Sequence, residues 1–194
     1  MFRSNPATIV IVPGLRKHVP EHWQTLLEAR LRKKRPVVSV PALGAEDLDC
    51  AARVEAIEHT VQGIRGPVIF VAHSGGVIML LHWAQKHRHA VQGALLAAPP
   101  DFETPLPSGY PRIDSLQAHG WLPVPATPLP FPSLVAVSRN DPLAGYARVE
   151  QMASDWGSTL VDLGAVGHLN PASGYGEWLR AELLIQQIDN GYAL

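Results

Sequence analysis

The chain has 194 residues, 46% hydrophobic and 17% charged, with a formal net charge of −1 at pH 7. That length buries roughly 70% of the unfolded surface in one core, so residues 1–194 are expected to form a single domain. The near-neutral charge steers it to neither nucleic acid nor an anionic membrane, and the lone Cys50 excludes an internal disulfide framework.

No run approaches the roughly 18 apolar residues that span a bilayer, and Met1 to Pro6 lacks the apolar core of a secretory signal. A soluble cytoplasmic protein is the expectation. In chain order, Thr8 to Val12 reads as a buried strand broken by Pro13-Gly14. Pro20 suits the first turn of a helix that carries Trp23, Leu26, Leu27 and Leu31 at helical spacing. Val37 to Val40 is a second strand. Leu48 to Ile64 is a helix with Val54, Ile57 and Val61 on one face, stopped by Gly63 and Gly66. Val68 to Val71, apolar and mostly β-branched, suits a strand buried on both faces. From Gly75 an apolar helix runs to the basic cluster Lys86 to His89, where positive charge suits a helix C-terminus.

Val91 to Ala98 and Phe131 to Ser138 are the next strands, Leu143 to Trp156 a helix, and Ser158 to Leu163 a sixth strand. Tyr175 to Ile188 closes the chain as a helix with Trp178, Leu179, Leu183, Leu184 and Ile188 as its apolar face. About six strands alternating with helices predict an α/β fold, a parallel sheet with helices on both faces and ligands beyond the C-terminal strand ends. The segment from about 99 to 132 interrupts the alternation. It holds ten of the eighteen prolines together with Phe102, Tyr110 and Trp121. It is expected to be an ordered flap over the strand ends, with a short helix over Asp114 to His119 and the three aromatics binding substrate.

The chemistry centres on Ala72-His73-Ser74-Gly75-Gly76, between strand and helix. A serine at so sharp a turn is strained, with its Oγ pushed above the sheet, and its neighbours must be small because the two backbones nearly touch. Ala72 stands where the G-x-S-x-G pattern has its first glycine, the smallest possible departure. A serine that merely caps the helix is the plainer reading. A serine nucleophile also needs a base and a carboxylate. His168, in the glycine-containing loop after the sixth strand, is the candidate base; His73 is expected to point away from Oγ. Asp141, just after the fifth strand in Ser138 to Pro142, is the candidate acid, with Asp162 its competitor. The order Ser74, Asp141, His168 is that of α/β-hydrolases. Two backbone N–H groups are needed for an oxyanion hole. Gly75 is the first, and Leu15, with Arg16 next in line, is the second.

These stretches, with Ile11 to Gly14, Glu21 to Gln24, Asp155 to Ser158 and Gly167 to Asn170, resemble the small serine hydrolases of the retinoblastoma-binding protein 9 type. The matches run in order over nearly the whole chain. The resemblance implies a compact α/β-hydrolase sheet and Ser74, Asp141 and His168 as its triad. Its L-x-C-x-E partner motif is only half met by Leu48 to Ala52, with Ala52 in place of Glu, so no such partner is carried over. His18-Val19-Pro20-Glu21-His22 matches an inverted zinc motif, but Pro20 leaves His18 outside the helix that this chemistry requires, so neither metal nor cofactor is expected. The expectation is a carboxylesterase acting on a small-molecule ester. The alternative is a binding protein that keeps the hydrolase fold without catalysis.

Overall fold

Residues 6–16, 19–44 and 46–191 are described by the computed structural model. Among them six strands, β1 (Thr8–Val12), β2 (Val37–Ser39), β3 (Val68–His73), β4 (Val91–Ala97), β5 (Ser133–Val137) and β6 (Thr159–Asp162), form one sheet ordered β2-β1-β3-β4-β5-β6. Every pairing is parallel. Side chains alternate between faces, which is why the central strands have no polar side. Val10, Val12, Phe70 and Ala72 join one core, and Ile9, Ile11, Ile69 and Val71 join the other.

Helices α2 (Cys50–Gln62), α3 (Gly75–Lys86) and α5 (Tyr146–Asp155) supply the first core; α1 (Trp23–Leu31) and α6 (Arg180–Asp189) supply the second. The chain leaves β1 toward β2, then returns to place β3 on the other side of β1. Loops after β1 and β3 therefore part in opposite directions and leave a crevice at their C-terminal ends.

Helices α1, α2, α5 and α6 start later than the sequence suggests, at Trp23, Cys50, Tyr146 and Arg180. Pro20 precedes α1, whose cap is His22, its Nδ1 accepting from the Gln24 N–H at 3.2 Å. At α6, Gly174 takes φ 70° at the end of a short 3-10 turn (Pro171–Ser173), so no helix runs from Tyr175. The buried face also differs from the expected one. Leu179 and Leu183 are 56% and 60% exposed, while Ala181, Leu184, Ile185 and Ile188 pack inward with Trp178.

The proline-rich segment contains α4 (Ile113–Ala118) and is not wholly a flap over the strand ends. Leu116, Trp121, Val124 and Phe131 belong to the core beside α3 and α5. Side chains of the helices tie it down: His82 Nε2–H donates to the Trp121 carbonyl at 3.1 Å, and Trp156 Nε1–H to the Pro125 carbonyl at 2.9 Å. Arg148 holds the buried carboxylate of Asp101 at 3.4 Å.

The tightest backbone passage lies where α3 crosses the end of β1. A Cβ on Gly76 would stand 2.5 Å from the Pro13 carbonyl oxygen and 2.6 Å from that of Val12. Both obstacles are backbone and cannot rotate aside. Gly76→Ala is therefore expected to destabilise the protein by about 3 kcal/mol or more. Gly176→Ala, where an added Cβ meets nothing within 4 Å, is expected to stay within about 0.5 kcal/mol of wild type. Urea unfolding of the two variants measures the contrast, and equal midpoints would contradict it.

Candidate active site

Ser74 joins β3 to α3 with φ 55° and ψ −131°, a region that residues with a Cβ seldom occupy. Strand β3 runs into this turn through Ala72 and His73, both buried. Ala72 sits between Val12 and Leu96 on the neighbouring strands and is fully buried. On the β1 side, a Cβ on Gly14 would come 3.2 Å from Ser74 Cβ, and one on Gly75 would come 2.8 Å from Leu15 Cγ. The turn after β1 thus lies directly against the serine turn. Gly75 opens α3, where backbone N–H groups lack helical partners and the helix dipole is positive.

The loop after β6 brings His168 to the same place. Its Nε2 lies 2.8 Å from Ser74 Oγ and its Nδ1 lies 2.8 Å from Asp141 Oδ2. A carboxylate only accepts, so Nδ1 carries the proton and Nε2 accepts from the serine hydroxyl. The His168 and Asp141 side chains are 4% and 3% exposed, so water hardly competes for this pair. The Leu143 N–H donates to Asp141 Oδ1 at 2.9 Å and fixes the carboxylate plane. Asp162, the competing acid, is engaged elsewhere. Arg139 Nε donates to it at 2.8 Å and the Gly164 N–H at 2.8 Å. The Arg139 guanidinium holds its carboxyl below the usual range. A hydroxyl bonded to an imidazole that is in turn bonded to a carboxylate can form an alkoxide-like nucleophile without building free charge.

A cavity of about 450 Å³ opens beside Ser74, in the crevice between β1 and β3. Leu48, Phe102, Tyr110 and Leu143 contribute to its wall. Trp121, expected there from sequence, does not. It lies underneath, with its ring edge-on to Phe102 at 5.4 Å and its Nε1–H donating to the Leu48 carbonyl at 2.7 Å. An indole that finds its acceptor inside the core has no reason to face the cavity. Among the described residues no group of side chains is arranged to hold a metal ion, and His18 of the zinc-like pattern lies outside them.

Two site residues were not expected from sequence. Gln24 is buried, and its Nε2 donates to the carbonyls of Val12 at 3.1 Å and Val71 at 3.0 Å, so one amide spans the ends of β1 and β3. The family-like Glu21 to Gln24 stretch was its signal. His73 does point away from Ser74 Oγ, but its Nε2–H donates to the His168 carbonyl at 2.9 Å. A histidine ending a buried strand has to find such a partner.

Burial, with His168 and His22 alongside, holds the His73 imidazole well below its ordinary pKa of 6.5. The unfolded chain takes up a proton there below that pH and the folded chain does not. Stability is thus lost as pH falls below about 6.5, by at most about 1.4 kcal/mol per pH unit from this group. His73→Gln, which keeps an N–H donor, is expected to flatten the decline in unfolding midpoint between pH 7 and pH 5. An unchanged slope would show that the burial of His73 does not cause it.

A family model described as serine hydrolase matches residues 9–187. No curated protein matches the sequence. Among solved structures, a YdeN-like hydrolase from Pectobacterium atrosepticum is 30% identical with TM-score 0.78, covering 95% of this chain and 91% of its own. The ydeN gene product of B. subtilis shares the fold at 15% identity and TM-score 0.70, over 95% of this chain and 99% of its own. Est1E from Butyrivibrio proteoclasticus, solved with ferulic acid bound, shares it at 13% identity and TM-score 0.68, over 96% and 88%. With the family's profile running from β1 into α6 and the fold shared throughout, this chain belongs to the serine hydrolase family.

Proposed function

We propose that the protein is a carboxylesterase of the retinoblastoma-binding protein 9 type, acting on small esters through an acyl-enzyme on Ser74. The observation that carries this reading is the unbroken pair of 2.8 Å hydrogen bonds from Ser74 Oγ through His168 to Asp141. In the first half-reaction Ser74 Oγ attacks the ester carbonyl carbon while His168 Nε2 takes the hydroxyl proton. Asp141 holds the Nδ1–H tautomer and stabilises the imidazolium. The carbonyl oxygen becomes an oxyanion between the N–H groups of Gly75 and Leu15. Collapse breaks the bond to the alkoxy group, which leaves as the alcohol with the proton from His168. Water then attacks the acyl-enzyme with His168 again as base, releasing the carboxylic acid and restoring Ser74.

The packing of Leu15 on Gly75 supports the assignment of the two oxyanion donors. Phe102 and Tyr110 form substrate-facing wall, and Trp121 backs Phe102. A binding protein that had given up catalysis would have no use for a serine held at φ 55° or for a buried imidazole–carboxylate pair, both of which cost free energy.

Ser74→Ala is expected to lower kcat on p-nitrophenyl esters by about 10⁴-fold or more with little change in unfolding midpoint. Asp141→Asn, which lets Nδ1 lose its proton, is expected to lower kcat by about 10³-fold or more. Steady-state kinetics on the purified variants tests both. Wild-type turnover by Ser74→Ala would remove the serine from the mechanism.

A further inference from the structure

Charge is unevenly placed around the cavity. Among its described lining side chains, Arg16 is the one arginine or lysine, and no aspartate or glutamate joins it. Arg16 belongs to the turn after β1, next to the Leu15 backbone. Its Nη2 donates to the Gly109 carbonyl at 3.1 Å, and its guanidinium carbon lies 4.6 Å above the Tyr110 ring. These two contacts hold the group against the rim formed by the proline-rich segment.

What it lacks is an anion. Arg30, Arg32, Arg35, Arg112, Arg139 and Arg148 each pair with a carboxylate of this chain. Arg16 makes no such pair among the described residues; Arg53, Arg65, Arg88 and Arg180 make none either, but none of them lines the cavity. A guanidinium has five N–H donors, and one is spent on Gly109. The remaining donors form a planar fork of the kind that grips a carboxylate with two parallel hydrogen bonds. Stacking on Tyr110 orders the side chain beforehand, so a ligand does not have to immobilise it.

We propose that Arg16 recognises a carboxylate carried by the substrate, so that the preferred esters combine an apolar body with one anionic end. The apolar body lies against Phe102, Leu48 and Leu143, and the carboxylate reaches the rim. One fixed cation matches a monoanion; a dianionic phosphate ordinarily gathers several. This proposal rests on Ser74 being the nucleophile.

The test compares matched esters in wild type and in Arg16→Gln, Arg16→Lys and Arg16→Glu. For an acyl-side carboxylate the pair is the p-nitrophenyl monoester of glutaric acid against p-nitrophenyl pentanoate. For an alcohol-side carboxylate it is 4-carboxyphenyl pentanoate against 4-acetylphenyl pentanoate. The readout is the anionic-to-neutral ratio of kcat/KM within each protein, which cancels any general loss from disturbing the turn. Wild type is expected to favour the anionic member of one pair by about 10-fold or more. That ratio should fall toward one in Arg16→Gln, be partly kept in Arg16→Lys and drop below one in Arg16→Glu. Without any mutation, raising ionic strength from about 20 mM to about 500 mM should lower the wild-type ratio. A wild-type ratio at or below one for both pairs, or a preference unchanged by Arg16→Gln, overturns the proposal. If Ser74→Ala abolishes turnover of the neutral ester while the ratio stays flat, only the charge recognition is wrong. Neutral-ester turnover that survives Ser74→Ala removes the nucleophile and this proposal with it.

Discussion

Strand β3 reaches the sheet edge and turns into α3 within one residue, and α3 then passes over the Val12 and Pro13 carbonyls with no room for a side chain at position 76. That backbone contact sets the rest of the site. It places Ser74 at a positive φ, points its hydroxyl above the sheet and brings the start of α3 against the turn after β1. Gln24, from α1 on the opposite face, bonds the carbonyls of Val12 and Val71 and adds a side-chain tie to the ladder that pairs the two strand ends. A local strain of about 1–3 kcal/mol at the serine is tolerated because the surrounding strands are buried at every position.

The histidine loop is secured by separate means. Asn140 Oδ1 accepts from the Gly167 N–H at 2.7 Å, and Ser138 Oγ accepts from the Val166 N–H at 3.1 Å. Ser173 Oγ accepts from the His168 N–H at 3.0 Å, and His73 holds its carbonyl. Backbone bonds thus fix His168 on both sides before its ring meets Asp141 and Ser74. Gly167, at φ 60°, also leaves no space for a Cβ, which would strike Ser173. The proposed proton relay tolerates little positional error, and these bonds limit that error.

Much of this was legible in the chain. Thr8–Val12 and Val91–Ala97 read as strands, and small residues flanking a serine between strand and helix marked the turn. Boundaries were harder where apolar residues serve two purposes. Leu179 and Leu183 look like core positions, yet at 3.6 residues per turn they fall on the side opposite Ala181 and Ile185. Trp121 looked like pocket wall because an aromatic in an irregular segment has no periodicity to orient it; the Leu48 carbonyl decided its direction. The roles of Gln24 and His73 could not be read because each acts through backbone carbonyls distant in sequence, at 47 residues for Val71 and 95 for His168. Spacing along the chain carries no trace of such partners.

Activation of Ser74 by the groups around it is the step on which the proposed mechanism rests. Reaction with a fluorophosphonate, followed by mass spectrometry of the intact protein and of its peptides, tests this without knowledge of the substrate, because only an activated serine forms the adduct at an appreciable rate. A single phosphonyl adduct on the peptide containing Ser74 is expected, formed far more slowly in Asp141→Asn. An unmodified Ser74 in folded protein, or an adduct that forms as fast without Asp141, would contradict it.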